Sequence, residues 1–280
     1  MKKQLLIAAV AATMSSVAMA DLSISGNAEV TIAQNSVSTE ANIALRGSAD
    51  AGSVTIDLTN TTVSGDATAG SFGIKNAYMN TSVAGVAVKA GTWKSGASNL
   101  GRSSVKAGAY SLTTSMGGVK AVFEETGTGS SNSITLSGSV SGVAISHKIA
   151  QQGDATETKV SGSVAGVDAS YHVKDDGTTK NTAMTLSTST NGVKIAYTSI
   201  DLDTALSGMD GAIADTSSAV AAGKHSAIAL TTDVAGNSVT FKRVDLNSVK
   251  TNKFIVSRGN MKATYNDTSE KLEVELTVKF

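Results

Sequence analysis

Side chains able to do covalent chemistry are few in this chain. It has three histidines, His147, His172 and His225, and the one place where a histidine, acids and a nucleophile could gather is His225, at the end of a polar stretch holding Asp201, Asp203, Asp210 and Asp215. A hydrolytic site needs a base, an acid and a nucleophile gathered at one rim. Calcium capture by Asp201-Leu202-Asp203 needs the glycine and terminal glutamate of an EF-hand loop, which are missing. Cysteine is absent, which excludes thiolate catalysis, zinc–thiolate sites and a disulfide framework. No catalytic set, metal-ligand set or cofactor motif can be assembled.

The sequence does offer charge at regular positions. Lys75, Lys89, Lys120 and Lys148 fall in the first half, Glu273 and Glu275 at the end, and Glu29 and Asp57 near the start, with Arg46 between those two. If all of them face one compartment, lysines on one arc oppose carboxylates on another. The transverse field that results orients dipolar solutes and favours one sign of ion. Taken singly, each reads more simply as a solvated side chain than as a selectivity residue.

The elements that must position these charges are short strands. Val160 to Val173 reads VSGSVAGVDASYHV, two alternating segments around a small-residue pair, the pattern of a β-hairpin with a tight turn. The pattern recurs after Gly85, Gly118, Gly142, Gly166 and Gly192, and after Gly236 and Asn260 with the same parity. Positions one, three and five after the turn are apolar or ring-bearing, and positions two and four are small, polar or charged. Each strand thus has one apolar and one wet face, with His147 on the first and His172 on the second. Val105 to Thr114, which holds Lys106, shows no clear alternation.

Nothing in the chain covers the apolar faces. It has no proline, no amphipathic helix of useful length and no second hydrophobic layer. A closed barrel in a bilayer resolves this, because closure removes the sheet edges and lipid takes the apolar face. Residues 1–20 read as a cleaved signal peptide, with Lys2 and Lys3, an apolar core and Ala18-Met19-Ala20 as the cleavage site. No later stretch approaches the roughly 20 apolar residues of a helical span. Loss of two lysines from 23 basic residues leaves 21 against 23 acidic ones, a balance that argues against nucleic-acid binding. Residues 21–280 show no linker and read as one all-β domain.

Small-residue pairs at Ala51-Gly52, Ala84-Gly85, Gly117-Gly118, Ser141-Gly142, Ala165-Gly166, Asn191-Gly192, Ala235-Gly236 and Gly259-Asn260 mark eight tight turns. Ala-Gly and Ser-Gly are expected to end a type I turn with only glycine left-handed, since alanine disfavours positive φ. Nine longer polar connections alternate with them, at about 33–38, 61–70, 94–103, 126–131, 151–155, 175–181, 201–224, 246–251 and 267–270. The count gives 18 strands, or 16 if the weak pair near residue 50 is misread, and either number leaves an aqueous channel. Phe123, Tyr171, Tyr197, Phe241 and Tyr265 sit five residues past their turns. At about 3.3 Å per residue and a tilt near 40° they climb roughly 13 Å and form one level belt.

The last ten residues, Lys271 to Phe280, alternate apolar with charged or polar and end on an aromatic residue. With the signal peptide, the opening strand Asp21-Leu22-Ser23-Ile24-Ser25-Gly26-Asn27-Ala28-Glu29-Val30 and the repeated hairpins, the mature chain resembles a Gram-negative general-diffusion porin. That resemblance implies an outer-membrane antiparallel β-barrel of 16 to 18 strands, a homotrimer, passive diffusion of small hydrophilic solutes and ions, and no enzymatic activity or cofactor. It also implies delivery to the barrel-assembly machinery through the C-terminal strand and Phe280. In that family the third loop folds into the lumen as a constriction. Its counterpart here, about Lys94 to Ser103, carries Lys94 and Arg102 but no acidic residue and no Pro-Glu-Phe-Gly-Gly pattern. The longest loop, 201–224, is the other candidate to fold inward. The rival reading is a secreted or surface-exposed structural or adhesive β-protein without channel activity.

Overall fold

A computed structural model describes residues 21–33, 36–63, 73–96, 98–101, 104–127, 132–150, 155–210, 213, 215–216 and 219–279. The expected signal segment, Arg102 and Phe280 lie outside these. Alternating sequences with β-branched residues form β1 (Asp21–Ala33), β2 (Ser36–Ala49), β3 (Gly52–Val63), β4 (Gly73–Val83), β5 (Val86–Lys94), β6 (Val105–Met116) and β7 (Val119–Glu125). They continue as β8 (Asn132–Val140), β9 (Val143–Ala150), β10 (Thr156–Val164), β11 (Val167–Asp175), β12 (Lys180–Thr190) and β13 (Val193–Leu202). After a small hairpin of β14 (Met209–Asp210) and β15 (Asp215–Thr216) come β16 (Gly223–Val234), β17 (Asn237–Leu246), β18 (Val249–Arg258), β19 (Met261–Asn266) and β20 (Lys271–Lys279).

Leaving the hairpin aside, every strand pairs antiparallel with its neighbour in the chain, β13 pairs with β16, and β1 pairs with β20 to close an 18-stranded sheet. Closure leaves no edge, so backbone amides and carbonyls within the wall are satisfied by adjacent strands. The larger of the two expected counts is therefore the observed one.

All eight tight turns have two residues. Their conformation corrects the expectation for alanine and serine. Ala84, Ser141, Ala165 and Ala235 have φ of 49° to 51°, as does Asn191, and the following glycines have φ of 77° to 81°. These are type I′ turns, whose twist matches that of the flanking strands. That match outweighs the 1–2 kcal/mol cost, approximately, of a left-handed non-glycine residue. The turn near residue 50 is Asp50-Ala51, one residue earlier than the Ala51-Gly52 pair suggests, because Ala49 pairs with Gly52. On the opposite side the connection expected at 246–251 shrinks to Asn247-Ser248, with φ of 53° and 63°.

Two bulges shift the wall. In β4 the extra residue is Lys75, which leaves Ile74 facing outward and Asn76 facing the lumen opposite Asp57. In β6 an extra residue beside Gly108 (φ 56°) changes the register between Gly91 and Trp93, so that Lys106 lies opposite Trp93 on the lumen side. This bulge is why the segment shows no single parity.

The outer surface is apolar around the barrel, with Leu22 at 68% and Val164 at 75% exposure. The five belt aromatics face outward with it, joined by Phe254, whose ring packs on Phe241 at 5.2 Å between centroids. Trp93 does not belong to the belt: it is buried and faces inward with Tyr78. The one buried hydrophobic cluster among the described residues lies inside the barrel. Lumen-facing Ala183, Ile200, Leu202, Ala227 and Val244 meet Leu100, Met209, Ile213 and Val220 from two loops.

Candidate functional site

The functional surface of such a barrel is the lumen wall. Cross-strand partners share a face, so the register fixes which side chains look inward. Starting from Glu29, the inward set runs around the barrel and returns to Thr277, its alternation interrupted at the bulges in β4 and β6.

Glu29 lies opposite Glu40 on β2 and opposite Thr277 on β20, whose hydroxyl donates to it at 3.5 Å. Glu275 and Glu273 follow on β20, and Lys262 of β19 donates to Glu275 at 2.9 Å. Arg46 Nη1 donates to Asp57 at 2.5 Å, and Asn76 Nδ2 donates to the other carboxylate oxygen at 2.7 Å. Lys75 lines the same cavity as Arg46, Asp57 and Asn76. Carboxylates therefore lie along the inward face of β20, β1, β2 and β3, interspersed with Arg46, Lys262 and Lys279.

Lysines line the inward face from β5 to β11. The ammonium of Lys89 stands 3.9 Å from the Tyr78 ring and 4.6 Å from the Trp93 ring, a cation–π arrangement. Lys106 pairs with Glu124. Lys120 faces Ser115 and Ser137, and Lys148 faces Thr135 and Glu157. Lys159, His172 and Lys174 complete the arc on β10 and β11. Glu157 accepts from His172 Nε2 and Lys159 Nζ, each at 2.8 Å.

Two loops enter the lumen. The β5–β6 connection closes at its neck, where the amide of Ser95 donates to the carbonyl of Ser104 at 2.7 Å. Its tip is a tight turn over 98–101. There Lys174 Nζ donates to the carbonyl of Leu100 at 2.7 Å, and Asn99 Nδ2 donates to Thr185 Oγ1 at 3.2 Å. The tip therefore reaches β11 and β12, far around the wall from its own strands. The long β13–β16 connection also folds in, pinned by reciprocal amide bonds of 2.9 Å between Leu206 and Val220. Leu100, 1% exposed, packs into one cluster with Met209, Ile213 and Val220. Both candidate loops thus fill part of the lumen, and a side-chain ammonium and a leucine replace the missing acidic pattern as anchors.

Lys94, proposed for that loop from sequence, ends β5, where its amide donates to Asn76 Oδ1 at 2.7 Å. His225 is buried; its Nε2 meets the carbonyl of Ala221 at 2.9 Å and its Nδ1 the amide of Asn247 at 3.3 Å. The first contact ties down the end of the long loop and the second the Asn247-Ser248 turn.

Sequence reasoning missed the apolar cluster inside the lumen, yet a signal for it exists. At the loop end of β13 the alternation inverts: Ile200 and Leu202 take the inward positions, while Ser199 and Asp201 point out. Val244 against Arg243 and Asp245 on β17 repeats the inversion. There the outer face is polar, and the inner face receives the loops.

No protein-family model and no curated protein matches the chain. Among solved structures it is similar to OccD3 (OpdP) of Pseudomonas aeruginosa, with a TM-score of 0.60 at 12% identity over 95% of this chain and 92% of that one. OccK10 (OpdN) of the same organism gives 0.57 at 10% identity over 92% and 97%. A substituted Rh. blastica porin gives 0.55 at 12% identity over 93% and 100%. The fold is that of the bacterial outer-membrane porins.

Proposed function

We propose that this chain is an outer-membrane channel for the passive diffusion of small hydrophilic solutes and ions. The observation that carries the reading is a closed 18-stranded barrel with an apolar exterior and a charged, polar lumen that two loops fill in part. The lumen width beside those loops sets the size limit. Lys75, Lys89, Lys120 and Lys148 against Glu29, Asp57, Glu273 and Glu275, with Arg46 among the latter, bias which ions pass. Lys94 and Arg102 belong, by sequence, to the loop that narrows the pore. The mature chain begins at Asp21 after export, reaches the outer membrane through the barrel-assembly machinery by its C-terminal strand ending in Phe280, and works as a homotrimer. It catalyses no reaction. Proteoliposomes made with the refolded chain are expected to swell in small neutral sugars and not in large ones. Membrane-inserted protein that supports no swelling would overturn this reading.

A further inference from the structure

The lumen face of β7 to β10 carries a trough of one chemical character. Lys120 lies opposite Ser137, Ser137 opposite Ser146, and Ser146 opposite Lys159. Ser139 and Ser161 lie on either side of Ala144 in the adjoining row. All of these side chains line a single cavity on the wall, and no carboxylate lines it. Of the nearby acids, Glu124 is engaged with Lys106 and Glu157 with His172 as well as Lys159, while Asp168, opposite Ser163 at the turn end of β11, lies beside the cavity but does not line it. Because Glu157 keeps His172 when Lys159 turns away, the half-exposed Lys159 ammonium is able to take another partner.

The geometry suits a small anion. Adjacent strands lie about 4.8 Å apart, so the backbones of Lys120 and Lys159 stand about 14 Å from each other. Two four-carbon stems leaning inward close most of that gap above a floor of serine hydroxyls. Every charged group lining the trough is donor-only, and the hydroxyls can also donate. A cation finds no anionic partner there. An oxyanion with acceptors on all sides is able to meet one ammonium at each end and hydroxyls beneath.

We propose that this trough is a binding subsite for small tetrahedral oxyanions of the phosphate type, concentrating and retarding them as they cross the lumen. The proposal rests on the channel reading. Its test is the chloride current through single channels, titrated with inorganic phosphate at constant ionic strength and about neutral pH. In the unaltered protein the current is expected to fall saturably. In Lys120→Gln/Lys159→Gln the phosphate concentration for half block should rise by about tenfold or more, and in Ser146→Ala by about threefold. Lys253→Gln, on another part of the wall, should not move it, and unboiled gel migration verifies that each variant is folded. An equal block in the double variant, no saturable block, or an equal shift in Lys253→Gln overturns the subsite while the channel reading stands. Absence of chloride steps from inserted, unaltered protein overturns the channel reading and the subsite with it.

Discussion

Lys174 holds the tip of the inward β5–β6 loop through a single carbonyl, that of Leu100. A charged donor to a carbonyl contributes roughly 1.5 kcal/mol, at the low end of its range because the lumen is wet. Lys174→Met keeps the stem and removes the donor, so the undocked population of the tip should rise about tenfold. Single-channel records of this variant are expected to show more open-state noise and a higher mean current, with unboiled gel migration unchanged. A record indistinguishable from the original would mean that the bond does not hold the loop.

Asp267, in the β19–β20 connection outside the membrane-spanning wall, is a pH-dependent clasp. Asn252 Nδ2 donates to it at 2.6 Å and the Asn252 amide at 2.8 Å, and these bonds hold its carboxyl below the usual carboxylate range. A depressed carboxylate favours the folded loop above its unfolded pKa of about 3.9, and that contribution disappears as pH falls through the lower folded value. Exchange protection of the Asn252 amide should therefore be flat from neutral pH to about 4 and fall below it. In Asp267→Asn the fall should be absent.

At the scale of elements, the two inward loops act as one body because they share a core. Leu100 is almost fully buried against Met209, Ile213 and Val220 on the long loop and against Ile200 and Leu202 on the wall. Leu100→Ala should cost about 2–5 kcal/mol locally through lost contacts and a cavity, enough to loosen both loops together. The wall's own ladder does not include this contact, so unboiled gel migration of the barrel should be unchanged. Limited proteolysis within 203–222 reads the effect, and accelerated cleavage there in a change made at residue 100 is the expected result. Unchanged cleavage would mean that the loops are held independently.

How legible the elements were follows from how local their determinants are. Tight turns announce themselves by a small pair between alternating runs, so seven of the eight observed turns fall on the expected residues. The turn at Asp50-Ala51 slips by one because its glycine was needed elsewhere: a Cβ on Gly52 would lie 2.2 Å from the carbonyl oxygen of Asn80. Bulges were hidden because one extra residue beside Gly108 reverses parity halfway along β6. The loop tip's grip on β11 was out of reach, since its partners are 74 residues apart and no local pattern joins them. The inversion of alternation at Ile200 and Leu202 was visible but reads as noise until something apolar is known to enter the barrel.

At the scale of the whole molecule, closure, an apolar exterior and a charged interior have one common consequence: water is confined to the inside. The lysines of β5 to β11 exceed the carboxylates placed among them, while β20 to β3 carry most of the inward acids. Charge therefore divides the lumen across its width. The most direct measurement is single-channel conductance of the protein refolded from residue 21 onward into a planar bilayer, with the zero-current potential taken in a salt gradient. Stable, ohmic steps are expected, with a potential whose sign marks anion preference if the lysine arc dominates. Folded, membrane-inserted protein that gives no steps would contradict an open channel.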